Sequence, residues 1–589
     1  MRASKIAIVN SIDTPEGDAK AVSGQPSRLW ALLCLIVLAA FAVRVAAVLH
    51  WPPGTIESEG AEYTRIAENL RNGMGYTGIV SPGPQLVFPP LFPFLIAAAS
   101  LVTHNFEWAG RLVSLVMGAL LPLPVFGIAS RLFGRRVGIV AAILTVFHPL
   151  LVNLSFSVLS EAPYTTLFLA AVYATVRALD RPSIRAWSLV GGIIGLAYLT
   201  RQEAVAVLFI AVLFALTTTE GAFTARSKRA AAAIGVFLVL ALPQILFLYK
   251  ATGKVRLDDK SAQFYALGSR ILEADGSLPY HGQSDEPSSA PSVESWEPWQ
   301  TKWAFYAIDN QLQRTGAAML SHTEVVQDTQ IRFKVLLELV KKGVRGNAPM
   351  FVQTLSERWL GGPFLPALAL LGIFCQPWRR PQASRRLFVL VIAAAPLMAT
   401  FTALWSQSRY YFVLVPLLII WASNGLVEVG QWTAATSSAL GWRALATPLA
   451  SQYMIPGLIG LALIVYPTKA VRQNYIFADA GAPTHIEKEV GLWIGHQQDS
   501  SVRIMDLSIV PAYYANAQWV HFPYCSGDLA LRFLDAAHVD YIVLRRSDTF
   551  TRYYQDWMNR GILDPRAERL RLQPDTDAEF IVYRWHRTG

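Results

Sequence analysis

Apolar residues along this chain come in blocks of ~20, the length a helix needs to cross the hydrocarbon core of a bilayer. The blocks fall near 29–49, 86–103, 108–130, 137–156, 162–179, 186–200, 203–219, 230–249, 360–376, 387–404, 409–427 and 447–466. Short basic loops separate many of them. The pattern predicts an α-helical polytopic membrane protein, organised by the bilayer.

Block 29–49 follows a tail holding Lys5, Lys20 and Arg28, and it is longer than the ~7–15-residue apolar region of a cleaved signal. It reads as a retained first span, with 1–27 as a cytoplasmic tail. The basic clusters Arg131/Arg135/Arg136, Arg177/Arg181/Arg185, Arg226/Lys228/Arg229 and Arg379/Arg380/Arg385/Arg386 should all face the cytoplasm. They do so if only one of the blocks 86–103 and 108–130 crosses. Pro89, Pro90 and Pro93 interrupt helical hydrogen bonding in the former, which is assigned as re-entrant or surface-lying. About eleven spans result, with the C-terminus outside. Trp51, Trp187, Trp378 and Trp405 lie near predicted boundaries, where amphipathic rings favour the headgroup level.

This topology gives a membrane core at 28–249 that includes a first outer loop, 51–85. A large outer loop follows at 250–346, then C-terminal transmembrane helices at 347–466 and an outer domain at 467–589. In the last, helical 485–496 precedes strand-like 502–507, 519–522, 541–544 and 580–585, which predicts a small α/β domain. The 589 residues are 53% hydrophobic and only 16% charged, against about 25% charged in soluble proteins. A soluble, disordered or fibrous protein is thereby excluded. The net charge of +10 resides in the loops and serves topology, so nucleic acid drops out as a partner. The three cysteines, Cys34, Cys375 and Cys525, share no metal-ligand spacing and imply no disulfide framework.

Candidate chemistry concentrates at the outer face. In the first loop, Tyr63, Ile66, Ala67 and Leu70 form one apolar stripe of a short amphipathic helix, suited to the membrane surface. Glu57 and Glu59 stand at its start, where a helix N-terminus favours carboxylates for purely structural reasons, and Gly73 and Gly75 end it. Glu161 opens a later span: an acid at membrane depth is a functional hypothesis, and a cap on the helix entered at Pro163 is the plain alternative. Arg201 and Arg409 sit at the outer mouth of the bundle, where a guanidinium can grip a phosphate, snorkel, or pair with a nearby Glu. His104 and His148 read as interfacial or satisfied core residues, and Arg44 and Arg111 as snorkelling or paired with loop carboxylates. There is no phosphate-binding Gly-rich loop, His-Glu-x-x-His or Gly-x-Ser-x-Gly. Outward-facing carboxylates and arginines fit chemistry on an anionic lipid-linked donor. A transporter or flippase with charges lining its path, or a non-catalytic envelope scaffold, are the other classes these residues allow.

Several ordered motifs resemble one family. They are Glu59-Gly-Ala-Glu-Tyr63-x-x-Ile-Ala-x-Asn-Leu70, Gly73-Met-Gly-Tyr76, Phe88-Pro-Pro-Leu-Phe-Pro93, Arg131-Leu-Phe-Gly-Arg-Arg136, Ser160-Glu161, Leu199-Thr-Arg201 and Arg409-Tyr410. Together they are similar to the GT-C glycosyltransferases of family 39, the dolichyl-phosphate-mannose protein mannosyltransferase and aminoarabinose transferase group. The resemblance implies a GT-C fold and transfer of a hexosyl or pentosyl unit from a polyprenyl-phosphate-linked sugar to a hydroxyl of a protein, lipid or glycan, with inversion. It implies Glu59 as general base where the family usually has Asp, with Glu57 as the neighbouring alternative and Glu161 as the second acid. Tyr63, Arg201, Arg409 and Tyr410 become substrate-binding candidates, and segment 86–103 a juxtamembrane element. No cofactor is established, a divalent cation being left open. The implied location is a bacterial inner membrane, with the C-terminal domain periplasmic.

Overall fold

The computed structural model describes residues 26–50, 54–80, 83–260, 333–356, 362–378, 382–402, 411–472, 485–497, 502–522, 527–546, 548, 552–572 and 574–587. Arg409, Tyr410, Arg379, Arg380, Trp51, Trp405, Cys525 and most of 250–346 lie outside them.

The described chain is a helical bundle followed by a small α/β domain. Among the described residues, five helices are long and apolar enough to cross a membrane: Leu29–His50, Phe106–Phe133, Phe223–Thr252, Leu414–Ala439 and Leu449–Thr468. The expected count of about eleven is not reproduced by length alone. Block 137–156, for example, breaks at His148 into Arg135–Phe147 and Pro149–Leu154. At ~1.5 Å per residue the longer piece covers roughly 20 Å, short of a ~30 Å core. Segment 86–103 yields only the helix Leu91–Thr103, which begins after Pro90 and ends at a left-handed His104.

Glycines set the closest helix approaches. A Cβ on Gly191 would stand 2.0 Å from Ala233 O, and one on Gly372 would stand 1.9 Å from Trp421 O. Helix Ile184–Tyr198 therefore lies directly against Phe223–Thr252, and Phe364–Phe374 against Leu414–Ala439. Trp187, in the first turn of Ile184–Tyr198, is fully buried against protein.

The C-terminal sheet comprises β1 (Arg503–Met505), β2 (Gln518–Val520), β3 (Tyr541–Arg545), β4 (Ala567–Leu570) and β5 (Phe580–Trp585) in the order β2-β1-β3-β5-β4. β1 runs parallel to β2 and β3, while β5 is antiparallel to β3 and β4. Helices His485–His496 and Val510–Tyr514 pack on one face, and Gly527–Ala536 and Arg552–Arg560 on the other. The sequence pattern missed β4, whose Ala-Glu-Arg-Leu run is half-exposed and carries the charges expected of an edge strand.

Candidate functional site

The first-loop helix, Ser58–Arg71, is not a surface helix. Gly60, Ala61, Glu62, Tyr63, Thr64, Ile66, Ala67 and Asn69 are all buried. Its apolar stripe shares one cluster with Phe88 and Phe92 and with Val490, Ile509, Val510 and Ala512 of the C-terminal domain. Periodicity announces an apolar neighbour without saying whether it is lipid or protein, and here it is protein.

Two acids frame the start of this helix. Glu57 occupies the N-cap position but makes no side-chain cap; its carboxylate instead accepts the Val158 N–H at 2.9 Å. Glu59 lies in the first turn and is half-buried. One turn on, the Tyr63 hydroxyl donates to Ser160 Oγ at 3.2 Å, and its ring meets Phe88 and Phe92 edge-on at 4.8 and 5.0 Å. The close approach depends on Gly60, where a Cβ would stand 2.6 Å from Val158 O. Gly60→Ala is therefore expected to force the helix off segment 155–160 and cost about 1–3 kcal/mol, as overpacking does. A lowered unfolding midpoint of the detergent-solubilised protein would register it.

Glu161, only 2% exposed, begins the helix Glu161–Asp180. Its carboxylate does not cap that helix but accepts from Arg201 Nη1 at 3.1 Å. Arg201 also reaches Glu203 Oε1 at 3.4 Å and lies over the rings of Tyr164 and Phe412, 5.7 and 5.6 Å from their centres. Burial opposes the Arg201 charge, but Glu203, Glu161, Tyr63 and Glu59 outweigh it and push the guanidinium pKa up. Glu59, Tyr63 and Glu161 thus all lie within electrostatic reach of Arg201. The Arg201 turn is held to the Pro89-Pro90 segment by Leu91 N–H to Leu199 O, 2.8 Å, and by Gln202 Nε2 to Val87 O, 3.3 Å.

Glu62, Arg44 and His148 stand otherwise than the sequence suggested, whereas Arg111 makes the carboxylate pair it allowed. Glu62, fully buried, accepts from Ile79 N, Val80 N and Gln85 Nε2 at 2.7, 3.2 and 2.6 Å and so ties those residues to the helix. Burial raises its pKa, against the pull of those bonds and of Arg65. Arg111 pairs with Glu107 at 2.7 Å while donating to Phe156 O and Thr55 O at 2.8 and 3.2 Å. Arg44 does not snorkel; it is fully buried and donates to Ser155 Oγ at 2.9 Å and to Ala40 O at 3.0 Å. His148 is buried, but neither ring nitrogen has a hydrogen-bond partner among the described residues, so it does not fit the reading as a satisfied core histidine. Among the described residues no group of three or more His, Cys, Asp or Glu could hold a metal ion.

Residues 87–247 match the sequence profile of the dolichyl-phosphate-mannose-protein mannosyltransferase family. No curated protein matches by sequence. Among solved structures, an Archaeoglobus fulgidus oligosaccharyltransferase tethered with an acceptor peptide superposes with a TM-score of 0.57 at 14% identity, over 95% of this chain and 74% of that one. The archaeal oligosaccharyltransferase AglB from the same organism, in complex with an inhibitory peptide and a dolichol-phosphate, gives 0.53 at 14% identity over 87% and 69%. ArnT from Cupriavidus metallidurans bound to undecaprenyl phosphate gives 0.53 at 13% identity over 95% and 98%. The chain has the fold of the GT-C glycosyltransferases and is an integral membrane protein.

Proposed function

We propose that this protein is a membrane glycosyltransferase that moves a sugar from a polyprenyl phosphate to an acceptor hydroxyl at the outer face of a bacterial inner membrane. The observation that carries the reading is that Tyr63, one helical turn after Glu59, meets Ser160 directly beside the buried Glu161–Arg201 pair. Glu59 takes the acceptor proton, while Glu57 holds the Val158 N–H and so ties the helix start to the segment before Glu161. The acceptor oxygen attacks the anomeric carbon, the bond to the phosphate oxygen breaks, and polyprenyl phosphate leaves with the electron pair. A single displacement of this kind inverts the anomeric centre. Arg201 stabilises the departing phosphate, and Glu161 holds Arg201 and orients the acceptor. Tyr63 lines the acceptor side, and Arg409 and Tyr410 are further substrate-binding candidates on motif order alone. About eleven crossings, with the tail 1–27 cytoplasmic and the α/β domain periplasmic, put the site at the outer mouth of the bundle.

The test is release of polyprenyl phosphate, followed by mass spectrometry. It uses the protein in lipid nanodiscs with a panel of polyprenyl-phosphate sugars and a membrane extract as acceptor. Transfer from one donor is the expected result; solute flux without transfer would instead identify a transporter.

A further inference from the structure

The C-terminal domain is built into the geometry of the first loop. Tyr514, at the end of helix Val510–Tyr514, accepts the Ile56 N–H at 3.1 Å and donates to Glu107 Oε2 at 2.9 Å. Ile56 is the residue before Glu57 and three before Glu59. The other oxygen of Glu107 takes Arg111 Nη2, which also reaches Thr55 O, while Arg111 Nη1 holds Phe156 O. One hydroxyl thus anchors a network joining 55–57 to 156–158, the two segments that lead into Glu59 and Glu161. Lys488 covers the Tyr514 ring, 4.9 Å from its centre.

A second anchor lies about two helical turns along. Arg65 donates to Tyr513 O at 3.1 Å and to the side chain of Asn516, and it lies 5.8 Å from the Tyr513 ring centre. Asn516 adopts φ 53°, a left-handed turn that Asn tolerates better than most residues. That turn directs the chain from the helix into β2.

We propose that Tyr514, supported by Arg65 and Asn516, is a positioning residue: the C-terminal domain fixes the first-loop helix and so sets where Glu59 stands relative to Glu161. This rests on the glycosyltransferase reading only for its catalytic consequence. A helix start joined to a neighbouring domain through the Ile56 bond, and through Glu107 and Arg111 to the same hydroxyl, opens when that hydroxyl is removed, and a displacement of ~1 Å at a reacting group can cost about 10²-fold in rate.

Tyr514→Phe keeps the ring and its contact with Lys488 but removes both hydrogen bonds. In full-length protein in nanodiscs, amide hydrogen exchange across 54–61 should rise about 10-fold or more, while exchange in β1 and β3 stays at the wild-type rate. Undecaprenyl phosphate, used as the binding probe, should retain its Kd within about 2-fold, and transfer should lose kcat rather than gain KM. Arg65→Met should loosen the same segment, and the double variant should loosen it more than either. Wild-type exchange across 54–61 in both single variants would overturn the proposal, as would a loosened segment with undiminished kcat. If the wild-type protein transfers no sugar at all, the functional reading falls, while the exchange measurement still decides the docking.

Discussion

Glu59→Gln should leave the protein folded, still able to bind undecaprenyl phosphate, and slower in sugar transfer by at least ~10²-fold, since removing a general base typically costs 10²–10⁴. The substitution changes one oxygen to an amide nitrogen in a half-buried first-turn position, so little packing is disturbed. Its neighbour provides the control. Glu57 already accepts the Val158 N–H, a bond that Gln can also accept, so Glu57→Gln should keep most of the transfer rate. The two variants, assayed side by side for polyprenyl phosphate release, discriminate the acid that reacts from the acid that holds the frame. Full activity in both would remove the carboxylate at the helix start from the mechanism. A large loss in Glu57→Gln alone would exchange their roles.

The pair illustrates what a sequence can and cannot convey. Motif order pointed to the stretch that holds Glu57, Glu59 and Tyr63, to Glu161 and to Arg201, and the fold brings Tyr63 onto Ser160 and Arg201 onto Glu161. It could not say that Glu57 is spent on a backbone donor 101 residues away, because that bond depends on how two loops cross. Local periodicity likewise found the helix after Ser58 but assigned its apolar face to the membrane; the α/β domain that covers it begins more than 400 residues later in the chain. Strands β1, β2, β3 and β5 were visible as apolar runs, and β4 was not, since an exposed edge carries no such run. Trp187 reads as a boundary residue because its block begins there, and the sequence does not show that its ring is packed inside the protein. In each case the missing information is which distant segment supplies the partner.

Arg201 gives the other large effect, and it separates structural from chemical consequences. Arg201→Gln strands the Glu161 carboxylate, which is 2% exposed and has the guanidinium 3.1 Å away. Leaving one member of a buried pair uncompensated costs about 3–5 kcal/mol, so the unfolding midpoint should fall sharply. Transfer should fall as well, through both lost fold and lost phosphate stabilisation. Neutralising the acid too, in Glu161→Gln with Arg201→Gln, removes the stranded charge and should recover most of the stability, because two neutral amides can bond to each other. If Arg201 stabilises the leaving phosphate, transfer in this double variant stays low despite the recovered fold. If transfer returns with stability, the ion pair is a structural strut and the phosphate is held by other cations. Arg201→Lys refines the result. It keeps the charge but loses the planar fork that can hold Glu161 with one nitrogen and present the other to an anion, so it should retain more stability than Arg201→Gln and still transfer slowly.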